Sequence, residues 1–317
     1  MTEGGTLSGA AFSGSSFKLL SSFYFFACSF ATALVNALTD FIKDAICVVN
    51  ESIKVATEAC KTVTCVASAL TAALAVATSA LSGSVVAAAG VTVCNVPGYG
   101  TFSVAQHALS MLLHHSNQVA VHDLSVRNGD WSSHLDWTYT LTPIREWHGK
   151  TMGIIGMGNI GSCFAGMAES LGMQIIYHHT RDLQLPNRRF VDLETLAQTA
   201  DVISLHCPLN DATDKLINQG FLSNMKSDAL LINTSRGGLI DTMALRNALM
   251  NKSIAAALLD VLEKEPPPAD HPLIGLPNAI ITPHISWISF EARKRIAATI
   301  SSIIKSFIQG TVINSVS

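Results

Sequence analysis

Residues Lys150–Gly161 read KTMGIIGMGNIG and contain the clearest fold signal in the chain. The apolar run Thr151–Ile155 predicts a buried strand, and the glycines that follow it have the spacing G-x-G-x-x-G. In such a loop Gly156 allows the tight turn, Gly158 lets the backbone approach a pyrophosphate, and Gly161 lets a helix pack closely on the strand. The free N–H groups at the start of that helix also favour phosphate binding.

The residues on either side of the glycines strengthen this interpretation. A helical pattern continues to Leu171, and a second apolar strand is expected at Gln174–His178. A glycine triplet alone is a weak signal, whereas strand, glycine loop, helix and second strand together predict a dinucleotide-binding βαβ unit. We therefore expect the whole loop, including Asn159 and Ile160, to bind the cofactor.

The same strand–helix rhythm continues toward the C-terminus. A long helix is expected at Ser103–Arg127, before the glycine loop, and shorter helices at Leu193–Thr199 and Thr242–Met250. Further apolar strands are expected at Asp201–His206, Ala229–Thr234, Ala255–Val261 and Ala279–Thr282. The alternation predicts an α/β fold with a Rossmann-like, doubly wound parallel sheet.

Three polar residues, Arg236, Glu265 and His284, each follow one of the last three strands. Ligands of such sheets bind beyond the carboxyl ends of the strands, so we expect these residues to meet in one cleft. An arginine can grip a carboxylate with two hydrogen bonds, and a histidine held by a carboxylate can exchange a proton. Alone, they could be a surface cation, a solvated turn residue and a helix cap. Together they predict hydride transfer between a nicotinamide and a 2-hydroxy or 2-keto acid.

Six motifs stand out between about Val93 and the C-terminus. They are the glycine loop, Asn95–Gln106 (NVPGYGTFSVAQ), Leu205–Leu209 (LHCPL), Ile232–Gly238 (INTSRGG), Leu259–Pro266 (LDVLEKEP) and Thr282–Trp287 (TPHISW). Together they resemble the motifs of the D-isomer-specific 2-hydroxyacid dehydrogenases, and Trp287 points to the glycerate dehydrogenase, or hydroxypyruvate reductase, branch. The resemblance implies reduction of a small 2-keto acid, hydroxypyruvate or glyoxylate, with a nicotinamide cofactor, and a homodimer.

The resemblance also assigns roles to individual residues. It implies that Arg236 binds the substrate carboxylate or carbonyl, that His284 is the acid/base and that Glu265 orients it. It implies that Asp260 lies near the nicotinamide carboxamide and that Trp287 contacts the substrate. Further cofactor contacts are implied for two pairs of residues that follow strands, Cys207 with Pro208 and Thr234 with Ser235.

The family's organisation implies two domains. A smaller, flavodoxin-like substrate domain would combine residues 1–97 with 286–317, and the dinucleotide-binding domain would span 98–285. A strand–helix–strand pattern at 44–67 fits the smaller domain, and Val91–Val96 is expected to be a strand before the boundary. The tail Phe307–Asn314 resembles the segment in which the chain returns to that domain.

The first domain departs from the family pattern. The family's substrate-binding loop contains a glycine, whereas its nearest equivalent here, Ala67–Leu70, has none, and Ser68 and Ala69 stand at the expected contact positions. This loss favours a second hypothesis, a nucleotide-responsive binding protein like the corepressors that share the fold. Against it stand the three intact polar residues after the strands, for which a scaffold has no chemical need.

The end of the second strand also departs from the family. An Asp that would hold the adenosine ribose is replaced by His179, which is followed by Thr180 and Arg181. Loss of the carboxylate and the presence of a cation favour a 2′-phosphate at this position. We therefore expect NADP or NAD as the cofactor, with NADPH preferred.

Composition limits the partners and the location. The formal net charge of −3 and the lack of a basic run argue against nucleic acid. The seven cysteines form no C-x-x-C pair and lack metal-ligand spacing, so we expect no metal and buried, reduced thiols in the cytoplasm. The uncharged run Leu19–Thr39 is long enough to span a bilayer. We favour burial of this run in the protein, and a membrane tether is the alternative.

Overall fold

The computed structural model describes residues 92–316 of the 317. The predictions for Leu19–Thr39, for the strand–helix–strand pattern at 44–67 and for the substrate contacts Ser68 and Ala69 lie outside the described residues. Residues Val96–Lys305 form one compact unit.

A seven-stranded sheet forms the centre of this unit, and all its strand pairs are parallel. The strands are β1 Thr151–Ile155, β2 Gln174–His178, β3 Arg188–Phe190, β4 Val202–Leu205, β5 Leu230–Asn233, β6 Ala256–Leu259 and β7 Ala279–Ile281. Their order is β3-β2-β1-β4-β5-β6-β7. The direction of winding therefore reverses between β1 and β4, where parallel sheets of this kind bind their ligands.

The helices of the described residues precede β1, connect four of the six consecutive strand pairs and follow β7. They are α1 Thr101–Asn117, α2 Val119–Arg127, α3 Asp130–Ser133, α4 Asn159–Ser170, α5 Leu193–Thr199, α6 Gln219–Asn224, α7 Thr242–Met250 and α8 Phe290–Ile308, with a 3₁₀ turn at Gly237–Leu239. Side-chain caps fix the starts of α5, α6 and α7, because Asp192, Asn218 and Asp241 accept hydrogen bonds from backbone N–H groups of the first turn. Each such cap stabilises its helix by about 1 kcal/mol.

Two apolar layers cover the sheet, one on each face. On one face Leu196 of α5 and Leu245 of α7 share a core with Ile203 of β4, and none of the three is exposed. On the other, Leu112 of α1 and Phe164 of α4 share a core with strand residues such as Met152. Burial of both faces explains why the central strands are continuous apolar runs rather than alternating ones. The doubly wound parallel sheet predicted from the sequence is confirmed.

The predicted long helix Ser103–Arg127 is wrong in one respect, because the structure divides it into α1 and α2. Gln118 lies between them with φ 42° and ψ 46°, the left-handed conformation, and its N–H donates to the carbonyl of His114. A left-handed residue ends an α-helix, so α1 ends there and α2 begins as a separate helix. The apolar periodicity continues across the break and gave no sign of it.

The described residues outside the compact unit are 92–95 and 306–316. There the predicted strand Val91–Val96 is reduced to a single antiparallel bridge between Cys94 and Ser315. Two backbone hydrogen bonds flank it, from Asn95 N to Asn314 O and from Val316 N to Val93 O, both 2.9 Å. The C-terminal tail thus pairs with the segment that precedes the compact unit. Within residues 92–316, the helices are too short or too polar to cross a bilayer.

Candidate active site

The glycine loop joins β1 to α4 at the carboxyl edge of the sheet. Gly156 has φ +96°, which favours glycine, and a Cβ there would lie 2.5 Å from the backbone nitrogen of Cys207. A Cβ at Gly161 would collide with the carbonyl oxygen of Gly156. Gly158 differs, because a Cβ there would meet no atom within 4 Å. The first and third glycines are therefore required by packing, and the second leaves open space at the start of α4.

That open space fits the pyrophosphate of a dinucleotide. Gly158 is the residue before the first turn of α4, and no side chain caps the helix. The backbone N–H groups of this turn are consequently available to an anion, and the helix dipole favours one. Asn159 and Ile160 supply the first N–H groups of the helix.

A cavity of about 540 Å³ extends from this loop along the carboxyl edge of the sheet. It brings together the glycine loop and two of the three polar residues expected after the strands, Arg236 and His284. Its other walls come from the segment before α1, from the first turn of α1 and from the residues after β4, β5 and β7. The lining residues are Gly98, Tyr99, Gly100, Thr101, Val104, Gly158, Asn159, Ile160, His206, Thr234, Ser235, Arg236, His284, Ser286 and Trp287.

Arg236 is held in a turn that the buried Asn233 organises. The Asn233 side chain accepts a hydrogen bond from Ser235 N at 3.0 Å and donates one to Arg236 O at 2.9 Å. Gly237 follows, where a Cβ would collide with the backbone of Leu262. The guanidinium donates to Ser235 O at 2.7 Å, and Arg236 as a residue is exposed. Its remaining N–H groups are available to an anionic ligand.

His284 and Glu265 form a close pair. His284 Nδ1 lies 2.6 Å from Glu265 Oε2, and Glu265 Oε1 accepts a hydrogen bond from Leu262 N at 2.9 Å. Since the carboxylate accepts, Nδ1 carries the hydrogen and Nε2 is the ring nitrogen available for proton exchange. Glu265 does not line the cavity and acts on it only through His284.

Asp260 lies beneath the loop that carries His284, and its side chain is fully buried. Its carboxylate accepts hydrogen bonds from Thr282 Oγ1, Ile285 N and Ser286 N. Because these protein donors occupy both oxygens, the geometry ties Asp260 to the loop and keeps its carboxylate out of the cavity wall. A contact with the nicotinamide carboxamide stays a prediction.

His179, Thr180 and Arg181 follow β2, next to the glycine turn, and they do not line the cavity. Thr180 Oγ1 lies 3.2 Å from His179 Nδ1, and Arg181 is exposed. The nearby Asp182 does not replace the absent carboxylate, because Tyr177 Oη donates to its Oδ1 at 2.7 Å. That hydrogen bond holds the pKa of Asp182 below its usual value. The end of β2 therefore presents the exposed Arg181 and, beyond it, the carboxylate of Asp182, whose Oδ1 is held by Tyr177.

A second cavity of about 550 Å³ adjoins the first and is lined by Cys207 and Pro208, together with His206, Leu209, Ser235 and Arg236. Burial raises the pKa of the Cys207 thiol and lowers that of His206 to about 3, so His206 stays neutral. The three described cysteines, Cys94, Cys163 and Cys207, are unpaired, but they are half-buried rather than buried as predicted. The described residues contain no cluster that could hold a metal.

Four residues of the site were missed by the sequence analysis: Tyr99, Asn233, His206 and Thr282. His206 and Thr282 follow strand ends, which is the signal that identified His284. Asn233 is the last residue of β5, where a buried polar residue indicates a hydrogen-bonding role. Tyr99 lies in a turn before α1, and only the three-dimensional structure brings it to the cavity.

Comparison with known proteins identifies the family. Residues 109–286 match the sequence model of the family described as D-isomer specific 2-hydroxyacid dehydrogenase, NAD binding domain. A hydroxypyruvate reductase of Blautia hydrogenotrophica is 40% identical over 228 residues, 71% of each chain. A glycerate dehydrogenase of Methylorubrum extorquens is 38% identical over 70% of each chain.

Solved structures agree with the sequence comparisons. An NADPH-dependent glyoxylate/hydroxypyruvate reductase from Sinorhizobium meliloti is 30% identical, with 75% of this chain and 74% of that chain covered and a TM-score of 0.67. The relatives are oxidoreductases, and none of these matches supports the corepressor alternative. The cofactor of this fold is NAD or NADP. The chain therefore belongs to the D-isomer-specific 2-hydroxyacid dehydrogenase family.

Proposed function

We propose that this protein reduces hydroxypyruvate or glyoxylate to the D-2-hydroxy acid with a nicotinamide cofactor. The observation that carries the proposal is the cavity that Arg236 and His284 share with the open space at Gly158. A carboxylate grip, a proton donor and a dinucleotide site are the parts that this reaction requires. The names of the similar enzymes, hydroxypyruvate reductase and glycerate dehydrogenase, support the same substrate class.

The residues of the cavity have separate tasks in this reaction. The Arg236 guanidinium binds the substrate carboxylate, which fixes the keto group beside His284. The imidazolium Nε2 of His284 donates a proton to the carbonyl oxygen, and Glu265 stabilises the ring in its charged form. The bound cofactor supplies the hydride for the carbonyl carbon. Trp287 and Tyr99, whose rings meet edge to face at 6.3 Å, close one side of the cavity and limit the size of the substrate.

The substrate assignment is tested by steady-state rates of NADPH and NADH oxidation with hydroxypyruvate, glyoxylate and pyruvate. We expect the highest kcat/KM for hydroxypyruvate or glyoxylate. Phenylpyruvate serves as a matched control, since its carboxylate and keto group are the same and its side chain is too bulky for the aromatic wall. A preference for phenylpyruvate would contradict the assignment.

The cofactor preference is proposed from the end of β2. An acidic residue there would bind both ribose hydroxyls and repel a 2′-phosphate, whereas this chain presents His179 and the exposed Arg181. One charge-assisted hydrogen bond to the phosphate contributes ~1.5–3 kcal/mol, which corresponds to roughly ten- to a hundredfold in affinity. The NADPH dependence named for the Sinorhizobium meliloti enzyme supports this proposal.

We therefore expect a higher kcat/KM with NADPH than with NADH, and His179→Asp should shift the preference toward NADH. Arg189→Ala serves as a control, because it changes a different exposed arginine, in β3, and should leave the cofactor preference unchanged. Steady-state kinetics with both cofactors give the ratio. A tenfold preference of the wild-type enzyme for NADH would show that Arg181 does not reach the phosphate.

The proposed homodimer is supported by an exposed apolar segment, residues 119–144, which we name the arm. Nine of its large apolar side chains are exposed, and the most exposed are Leu135 at 105% and Trp137 at 82%. The arm has local order, because Trp131 Nε1 donates to Trp137 O at 3.0 Å and Leu141 N donates to His122 Nε2 at 3.1 Å. An ordered apolar surface of this kind is typical of protein–protein interfaces.

Light scattering of the purified protein should give about twice the chain mass of 33.7 kDa. Replacing both Leu135 and Trp137 with Ser should yield monomers, because the exposed side chains supply the apolar area of the interface. Met250→Ser, which changes another exposed apolar residue, should remain dimeric. A monomeric wild-type protein at micromolar concentration would contradict the proposal.

The proposal includes a cytoplasmic location. It also includes two domains, a substrate domain of residues 1–97 with 286–317 and a dinucleotide-binding domain of residues 98–285. The unpaired thiols of the described cysteines support a reducing compartment. The pairing of the C-terminal tail with residues 93–95 supports a domain that uses both ends of the chain. Substrate contacts by Ser68 and Ala69 also remain proposed.

A further inference from the structure

The loop that carries His284 is held by one buried residue, Asp260. Three consecutive backbone N–H groups donate to it. That of His284 binds its carbonyl oxygen at 2.8 Å, and those of Ile285 and Ser286 bind its two carboxylate oxygens at 2.9 Å each. His284 has φ +54°, a conformation that residues other than glycine seldom adopt. Such a conformation persists only where surrounding interactions fix it, and here Asp260 provides them.

A hydrogen-bonded chain connects Asp260 to helix α1. Thr282 Oγ1 donates to Asp260 Oδ1 at 2.6 Å, and His107 Nε2 lies 3.0 Å from the same Thr282 oxygen. Because the threonine has one proton and gives it to the carboxylate, its oxygen accepts from His107, and Nε2 of His107 carries a hydrogen. His107 Nε2 is also 3.5 Å from Asp260 Oδ1.

Helix α1 meets the same loop at a second point. Ser103 lies one turn before His107 and donates through Oγ to the carbonyl of Ser286 at 2.5 Å. The loop is therefore fixed from below by Asp260 and from the side by α1. Since the Asp260 side chain is fully buried, bulk water cannot replace a donor that is lost.

We propose that His107 is a positioning residue for His284 and acts through Thr282 and Asp260. The inference rests on the proposed function in so far as His284 is the acid of that reaction. Without the hydrogen bond from His107, the hydroxyl of Thr282 is free to turn away from Asp260. The carboxylate then loses a donor, and the left-handed conformation at His284 relaxes. A displacement of about 1 Å at a reacting group can cost ~10²-fold in rate.

Two pairs of variants test the proposal. His107→Leu and Thr282→Val remove the hydrogen bonds at similar volume, whereas His107→Gln and Thr282→Ser keep a donor at the corresponding position. We expect kcat to fall by ~10- to 100-fold in the first pair, with KM and the Kd for NADPH changed less than about threefold. The second pair should retain most of the activity, and so should His114→Leu, which alters an exposed histidine of the same helix. The double variant His107→Leu with Thr282→Val should be no slower than either single variant, because both act through one chain.

Amide hydrogen exchange at residues 284–286 provides a readout that needs no substrate. Faster exchange in His107→Leu and Thr282→Val, with wild-type exchange in His107→Gln and Thr282→Ser, supports the proposal even if the wild-type protein fails to reduce any 2-keto acid. In that case the proposed function alone is contradicted. Wild-type exchange and kcat in His107→Leu, or equal losses in His107→Leu and His107→Gln, would overturn the positioning role.

Discussion

Replacing His284 with Ala should lower kcat for hydroxypyruvate reduction by at least ~10²-fold, the usual loss when a general acid is removed. The structure gives the reason, because Glu265 engages Nδ1 at 2.6 Å and leaves Nε2 for the substrate oxygen. Cofactor binding should be largely spared, because the substitution leaves the backbone N–H groups of the glycine loop, the proposed pyrophosphate site, unchanged. Steady-state kinetics give kcat, and quenching of intrinsic fluorescence by NADPH gives the affinity.

Glu265→Gln is the matched variant for this prediction. The amide can still hold the ring but carries no negative charge, so it stabilises the charged ring less. We expect an intermediate loss of kcat. Near-normal turnover in His284→Ala would contradict its assignment as the proton donor.

Alanine at Gly161 and alanine at Gly158 should produce different defects, a loss of stability in the first variant and a loss of cofactor affinity in the second. Gly161→Ala places a methyl group against the carbonyl oxygen of Gly156 and 3.2 Å from Ile154 Cγ2. Overpacking of this kind costs ~1–3 kcal/mol, which should lower Tm by several degrees. Gly158→Ala meets no protein atom within 4 Å and has an ordinary φ of −79°. Its Tm should remain that of the wild type.

The same Gly158→Ala variant should bind NADPH at least ~10-fold more weakly, since its methyl group projects into the space proposed for the pyrophosphate and displaces a charge-assisted hydrogen bond. Calorimetric unfolding and a fluorescence titration separate the two effects. Wild-type affinity in a folded Gly158→Ala variant would show that the pyrophosphate lies elsewhere.

The fold could be predicted because local patterns agreed with the tertiary structure. Thr151–Ile155, Gln174–His178, Leu193–Thr199 and Thr242–Met250 begin and end where the sequence indicates. Gly156 directly follows the first of these segments, and capping aspartates, Asp192 and Asp241, precede the two helices. β3 and α6 were missed because they are short, and β3 contains two arginines that do not indicate a strand.

The site was predictable to the extent that it depends on strand ends. Arg236 and His284 lie in one cavity, as the placement of residues after parallel strands suggests. The break at Gln118 and the role of His107 could not be predicted in this way. The apolar periodicity of the sequence runs through Gln118, and His107 contacts Thr282 and Asp260, which lie more than a hundred positions away along the chain.

The most direct test of the central claim is the amount and chirality of glycerate formed per NADPH oxidised, with hydroxypyruvate as substrate. The proposed mechanism predicts one D-glycerate for each NADPH consumed and no detectable L-isomer. His284→Ala should lower the rate without changing this ratio. NADPH oxidation without glycerate, an excess of the L-isomer, or no reaction with hydroxypyruvate and glyoxylate would contradict the account.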